Sequence, residues 1–457
     1  VEIIDTKRAA ELVEGTDRLS RCEIEKLADE RLRFLIDYAR KNSKYLAKKY
    51  ADLPENFSLA DIPIATRSEM VENFEEWVCD PDITNAAVSE YLSDFENIYT
   101  RFLGKYALAS TSGTTAAPLR IVRDSRHLAI HGALMDKRYF HGPLLKDVEG
   151  IDKPDMKNCG IIPDGGFHSS YVSFLRMRRS YEERGMEDKV KFIPVVTPIE
   201  KMVQELNDFQ PEMIGTYPSV IYTLASEQKA GRLNIHPKFI GCSAEKLTDE
   251  SRKYISEAFG CPVNDNYCST EGGEVAMLCP NGHLHLNSDW IIVEPVDKDM
   301  KRVPSGVRSD GILITNLACL VQPVIRYHMS DKIIMFDEPC GCGLNTPYID
   351  IGGRSEEVLE FENDGKTSKI AGLQLYFAAS HTEGCGNCQF IQRGKDSLEV
   401  RVEVLSGYDN DFIVSEVMRK TREILDGSGL GYVSAYFAPG QLIRTKGGKI
   451  RLAFREF

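Results

Sequence analysis

Between Phe192 and Phe259 short apolar runs alternate with amphipathic segments, and that alternation restricts the possible folds more than any other feature of the chain. Phe192-Ile193-Pro194-Val195-Val196, Met213-Ile214-Gly215-Thr216 and Phe239-Ile240-Gly241-Cys242-Ser243 have the length and content of buried strands. Residues 198–208, the segment with Val220, Ile221, Leu224 and Ala225, and the stretch ending at Phe259 carry apolar residues at helical spacing. Strands separated by helices form a largely parallel sheet covered by those helices, so the predicted class is α/β. Ligands of such sheets sit beyond the carboxyl ends of the strands. Three loops occupy that position: Thr216-Tyr217-Pro218-Ser219, Ser243-Ala244-Glu245 and Asn266-Tyr267-Cys268-Ser269-Thr270-Glu271.

The flanking sequence supplies more helices and a second kind of strand. Residues 20–50 read as one long amphipathic helix, and Thr66 with Glu69 makes a capping box for another. A helical pattern continues to about Ser93 and returns over 125–145. Cys159-Gly160-Ile161-Ile162-Pro163 reads as a buried strand. The residues after it, Asp164-Gly165-Gly166-Phe167-His168-Ser169-Ser170-Tyr171, suit either a small-molecule pocket or a strand-to-helix turn. From about 285 to 350 the chain is β-rich and reads as a subdomain, and beyond Gly352-Gly353-Arg354 it is long enough for a compact α+β domain. The predicted division is 1–352 and 353–457.

Upstream lies an uncharged loop, Ser110-Thr111-Ser112-Gly113-Thr114-Thr115-Ala116-Ala117-Pro118, between two strand-like segments. Hydroxyls and backbone N–H groups in such a loop suit a polyphosphate, although a polar hairpin has the same composition. The Gly-Lys-Ser/Thr ending of a Walker loop is missing, which disfavours a P-loop ATPase or kinase. Acidic residues outnumber basic ones by 69 to 56, giving −13, so a nucleic-acid partner is not expected. No apolar run is long enough to span a bilayer and no signal peptide is visible, so a cytoplasmic protein is expected. In that compartment the twelve cysteines point to thiols or metal ligands rather than disulfides.

In order, these loops resemble those of the adenylate-forming superfamily of acyl-CoA synthetases and adenylation domains, in particular the phenylacetate–CoA ligase branch. The resemblance runs from Ile62-Pro63-Ile64-Ala65-Thr66-Arg67 to Lys449. It implies a large N-terminal domain with a β-subdomain, followed by a small mobile C-terminal domain. Ser110, Thr111, Ser112, Gly113, Thr114 and Thr115 would hold ATP phosphates, and Ser243-Ala244-Glu245 would lie beside the adenine. Asn266-Tyr267-Cys268-Ser269-Thr270-Glu271 resembles the Tyr-Gly-Ser-Thr-Glu motif: the aromatic packs on adenine, Thr270 contacts the α-phosphate and Glu271 holds Mg²⁺. Arg326-Tyr327-His328-Met329-Ser330-Asp331 resembles the segment whose Asp takes the ribose hydroxyls. Arg354 sits in the hinge-like Gly353-Arg354-Ser355-Glu356-Glu357, and Lys449 in the catalytic loop Arg444-Thr445-Lys446-Gly447-Gly448-Lys449. Three departures stand out: Ala116 replaces a Gly, Leu119 a frequent Lys, and Cys268 a Gly.

Cys279-Pro280-Asn281-Gly282-His283-Leu284-His285 precedes the β-rich region and Cys340-Gly341-Cys342-Gly343 follows it. Three thiolates and one imidazole make a closed structural zinc site. His283 and His285 share a face of a strand, and the resemblance favours His285 as the ligand with Cys279, Cys340 and Cys342. Cys385-Gly386-Asn387-Cys388 has ligand spacing but no partner pair and is left unassigned.

The expected activity is ATP-dependent ligation of a carboxylic acid through an acyl- or aryl-adenylate. The expected cofactors are ATP, Mg²⁺, coenzyme A as acceptor and structural Zn²⁺. The expected substrate is aromatic or short, an inference resting partly on Phe167 and Tyr171. Two alternatives stay open: an adenylating ligase with another acceptor (an amine, a carrier protein or a coenzyme receiving AMP), and a non-catalytic, zinc-stapled nucleotide-binding scaffold. A homodimer is compatible with the sequence.

Overall fold

The computed structural model describes residues 4–110, 119–151, 153–164, 167, 169–351, 358–363, 366–380, 382–404, 408–443 and 451–456. Its centre is a nine-stranded sheet. Val190–Pro194, Asn158–Ile162, Met213–Thr216, Phe239–Ser243 and Val263–Ser269 run parallel in that spatial order, as the strand–helix alternation requires. Gly273–Leu278, Leu284–Leu286, Tyr348–Ile351 and Ile333–Phe336 continue the sheet antiparallel. The β-rich region from 285 to 350 is thus divided. Ile291–Val296, Gly311–Asn316 and Tyr327–Met329 make a separate three-stranded sheet, while its flanking strands extend the large one.

Which face each residue of a parallel strand takes is settled by its packing. Ile240, Cys242 and Val263 share a core with Val220, Leu224, Ile255 and Phe259, under the helices Pro218–Lys229 and Asp249–Phe259. Asn264 points the other way and donates to the Tyr139 carbonyl at 3.0 Å. With a period of two, Asp265 and Tyr267 therefore follow Val263 to the Asp249–Phe259 side.

Residues 20–50 form two helices, Arg21–Asn42 and Lys44–Lys49. Ser43 causes the break: its hydroxyl accepts from the Leu46 N–H at 3.1 Å and starts the second helix. The Thr66 capping box is present before Arg67–Glu72. The helical stretch from 125 is the helix Ser125–Leu134 followed by a wider π-type turn over Met135–Phe140.

The C-terminal part builds its own four-stranded sheet, with Cys385–Gly394 and Ser397–Val404 at its centre and the helices Gly372–Ser380 and Asn410–Gly427 packed on it. It meets the N-terminal part through Gln374, which donates to the Thr197 carbonyl at 3.2 Å, and through Lys369, 3.4 Å from the Tyr222 hydroxyl. No helix among the described residues is long and apolar enough to cross a membrane.

Candidate active site and metal centre

The site forms where the parallel strands end. Ala107–Ser110 and Arg120–Arg123 pair antiparallel, with Ser110 opposite Arg120, on either side of the Ser/Thr loop in sequence. Thr111, Ser112, Gly113, Thr114 and Thr115 lie outside the described residues, as do Arg354, Lys449 and the glycine pair Gly165-Gly166.

Thr270 and Glu271 occupy the turn between Val263–Ser269 and Gly273–Leu278. Arg123 donates to the Thr270 carbonyl at 2.8 Å and Asn316 to the Glu271 carbonyl at 3.1 Å. The Gly272 N–H donates to Ser269 Oγ at 2.8 Å, and Gly273 turns the chain at φ +77° against His127. The Glu271 side chain is buried, which pushes its carboxyl up, while Arg67 and Arg123 pull it down and Asp331 raises it further. The Tyr327 hydroxyl bonds both Glu271 and Arg67. Glu271 and Asp331 therefore lie near one another, with Thr270 in the same turn, joined by two arginines that the sequence motifs did not single out. One signal was available: Arg67 closes the segment where the resemblance begins. That segment is stitched to the Asp331 strand, with Ala65 donating to the Arg326 carbonyl at 3.0 Å and accepting from His328 at 2.9 Å.

The other candidates separate. Ser243 ends its strand and Ala244 turns at φ +69°, a left-handed conformation unusual for a residue with a side chain. Glu245 accepts from the Ser219 N–H at 2.8 Å and from Ser219 Oγ at 2.9 Å, so its carboxylate fixes the first turn of Pro218–Lys229. Asn266 donates to Glu274 at 2.5 Å, on the face away from Asp265, and the Cys268 thiol is likewise enclosed near Glu274 and Arg123. Phe167 and Tyr171, used to argue for an aromatic acid, are engaged in an aromatic cluster with Phe95, Tyr91 and Phe192.

A residue absent from the motif reading sits two positions before Tyr267. Asp265 Oδ1 is buried without a hydrogen-bond partner, and burial pushes the carboxyl well above the carboxylate range. It lines a cavity of about 470 Å³ with Lys246, Thr248, Arg252, His283, Tyr348 and Ile351. The cavity thus adjoins the residues that follow Ser243-Ala244-Glu245 and the strand that leads toward Arg354. An orphaned acceptor on the face shared with Tyr267 fits the exocyclic amine of a purine.

Behind the turn, Glu274 and His127 are buried, and the half-buried His131 has its Nδ1 3.5 Å from Glu274. Burial raises the Glu274 carboxyl to about 7, against smaller lowering effects from Asn266 and Arg123, and lowers His131 to about 4. The folded state therefore holds a proton on Glu274 that the unfolded chain releases above its ordinary carboxyl pKa. Stability from this group is complete at low pH and is lost as pH rises through about 7, a swing of about 3 kcal/mol. Glu274→Gln retains an acceptor for Asn266 and removes the charge. Urea unfolding should find variant and parent similar at about pH 5 and the variant more stable at about pH 8. A gap that stays constant across that range counts against a buried, titrating Glu274.

The predicted metal ligands assemble. Cys279, His285, Cys340 and Cys342 bring their ligand atoms within 4.8 Å of one another. Cys279 and Cys340 sulfurs are 3.9 Å apart, and His285 Nε2 is 3.0 and 3.4 Å from the Cys340 and Cys342 sulfurs. A zinc tetrahedron has edges of about 3.5–3.8 Å, so the set fits that ion. His285 Nδ1 donates to the Thr346 carbonyl at 2.9 Å, leaving Nε2 to face the thiols. His283 lies outside this cluster. The free Cys385 and Cys388 thiols hydrogen-bond each other within the C-terminal sheet, apart from this group.

No protein-family model matches the chain. Protein CapK of Staphylococcus aureus is 22% identical over 462 residues, covering 97% of this chain and 92% of that protein. Phenylacetate-coenzyme A ligase of Thermus thermophilus is 27% identical over 290 residues, 55% of this chain and 62% of that protein. Among solved structures, 2-hydroxyisobutyryl-CoA ligase in complex with 2-HIB-AMP and CoA aligns at a TM-score of 0.59 and 19% identity, over 95% of this chain and 90% of that one. Its postadenylation state with 2-HIB-AMP gives 0.55 and 18% over the same shares. The chain thus shares the fold of an acyl-CoA ligase and is similar in sequence to phenylacetate–CoA ligase.

Proposed function

We propose that the chain is an AMP-forming acid–CoA ligase. A carboxylate attacks the α-phosphate of ATP, giving an acyl-adenylate and pyrophosphate; the thiol of coenzyme A then takes the acyl group and AMP leaves. The observation that carries this proposal is the meeting of Glu271, Asp331, Arg67 and Tyr327, from distant segments, at the carboxyl ends of the parallel strands.

The chemistry needs no protein nucleophile. Two anions must be aligned and the charge developing on the phosphate oxygens neutralised. Arg67 and Arg123 bring fixed positive charge to the Thr270 and Glu271 turn. Asp331 is assigned to the ribose, Asp265 and Tyr267 to the base, and the loop containing Ser110 to the phosphates. Mg²⁺, held by Glu271, would supply further neutralisation. Lys449 is assigned the contact to the carboxylate and α-phosphate, and Zn²⁺ the structural clasp at Cys279, His285, Cys340 and Cys342. An aromatic or short acid is the proposed substrate.

ATP–pyrophosphate exchange over a panel of carboxylic acids tests the first step, and coenzyme A-dependent consumption of the adenylate tests the second. Exchange with no acid, while ATP binds, removes the enzyme assignment; full exchange by Lys449→Ala removes the role of that lysine. Amines and carrier proteins tested alongside coenzyme A separate the alternative acceptors.

A further inference from the structure

From the shared walls of the metal clasp and the nucleotide cavity we infer that metal occupancy sets the affinity for the adenine nucleotide, with His283 as the connecting residue. The inference rests on the ATP assignment above and adds a function to a centre otherwise only structural.

The two sites are built from the same loops. The turn after Cys279 is closed by Cys279 N–H donating to the His283 carbonyl and Gly282 N–H donating to the Cys279 carbonyl, both 2.9 Å. His283, at the end of this turn, stacks on Tyr348 with ring centres 4.4 Å apart and planes 15° apart. Tyr348 pairs with His285 across the strands, two residues beyond the Thr346 carbonyl that orients that ligand. On its other side Tyr348 stacks on Phe336 at 5.0 Å. This three-ring stack lines the cavity that contains Asp265.

A second connection runs through Gly282. At φ +83° it lies so close to Arg252 that an added Cβ would be 2.3 Å from the guanidinium. Arg252 lines the cavity and acts electrostatically on Asp265. Asn281 donates to the Cys340 carbonyl at 2.8 Å, tying the turn to the second cysteine loop. His283 Nδ1 and Asp265 Oδ1 are each buried with no hydrogen-bond partner, and both residues line the cavity. A purine offers ring acceptors and an amine donor, and these two atoms match that mixture.

Without the metal, the two cysteine loops lose the common ion that fixes their spacing, and the turn is free to move His283 and Gly282 away from the cavity. The test uses calorimetric titration of ATP into the full chain as loaded with zinc, stripped with a chelator, and reloaded. Stripping should weaken ATP binding roughly tenfold or more, and reloading should restore it. His283→Ala, still binding one zinc per chain, should weaken ATP by a similar factor and raise KM for ATP without lowering kcat.

Equal ATP affinity in the loaded and the stripped but folded chain overturns the coupling, as does normal ATP binding by His283→Ala. If stripping unfolds the chain, the zinc-loaded His283→Ala variant decides. Failure to take up zinc overturns the inference outright. Failure of zinc-loaded parent protein to bind ATP overturns the nucleotide assignment itself, a result distinct from loss of coupling.

Discussion

Glu271→Gln is expected to lower ATP–pyrophosphate exchange by roughly 10²–10³-fold, the scale set by removing one preorganised electrostatic contact. The substitution keeps the size of the side chain and removes only its charge. Its carboxyl is buried and raised, so the folded chain works against ionisation at this position. Arg67 and Arg123 offset part of that cost, and Asn316 and Gly273 hold the backbone whether or not the side chain is charged. Catalysis and stability should therefore move apart: exchange falls while the melting temperature stays level or rises. Raising Mg²⁺ should recover part of the lost rate. Exchange within a few-fold of the parent, at limiting Mg²⁺, would remove Glu271 from the reaction.

The strands of the central sheet were legible because each is a short apolar run between turn residues, a signal carried within a few positions. The clasp was legible for a similar reason, since three cysteines and a histidine have few other uses in that spacing. Which histidine belongs to it was not, because His283 and His285 share strand parity; Thr346 decides by orienting His285, and Tyr348 by stacking on His283. Arg67, Arg123 and Asp265 escaped notice because a charged residue in sequence reads as surface, and only tertiary contacts bring the half-buried arginines to Glu271 and bury Asp265. Asn266 and Cys268 show the converse limit. They belong to the motif, yet the pleat turns their side chains toward Glu274, leaving Asp265 and Tyr267 on the cavity face. The split of the 285–350 region was hidden because strand order is set by non-local pairing, such as His285 with Tyr348.

Breaking the buried pair of Glu294 and Arg326 should cost 3–5 kcal/mol on either side, the range for leaving one buried charge without its partner. Arg326 Nε and one terminal nitrogen donate to the two Glu294 oxygens at 2.9 and 3.0 Å, and the other terminal nitrogen donates to the Ala60 and Ile62 carbonyls. Burial raises the Glu294 carboxyl and Arg326 pulls it back, so neither charge is stable there alone. The pair also bears on function. Arg326 has φ +46°, a strained value for a residue with a side chain, and immediately precedes Tyr327–Met329. Its side chain clamps that turn to residues 60–62, so the strand reaches Tyr327 and Asp331 in the register that meets Glu271. Glu294→Met should accordingly lower the unfolding free energy by the stated amount and raise KM for ATP in the molecules that remain folded. Glu294→Met combined with Arg326→Met should recover most of the stability, because an apolar pair of similar volume needs no desolvation. The ATP defect should be at least as large in the double variant, since it also loses the Arg326 contacts to the Ala60 and Ile62 carbonyls. Recovery of both together would mean that the pair contributes stability alone and that the turn at 326 is held by other contacts.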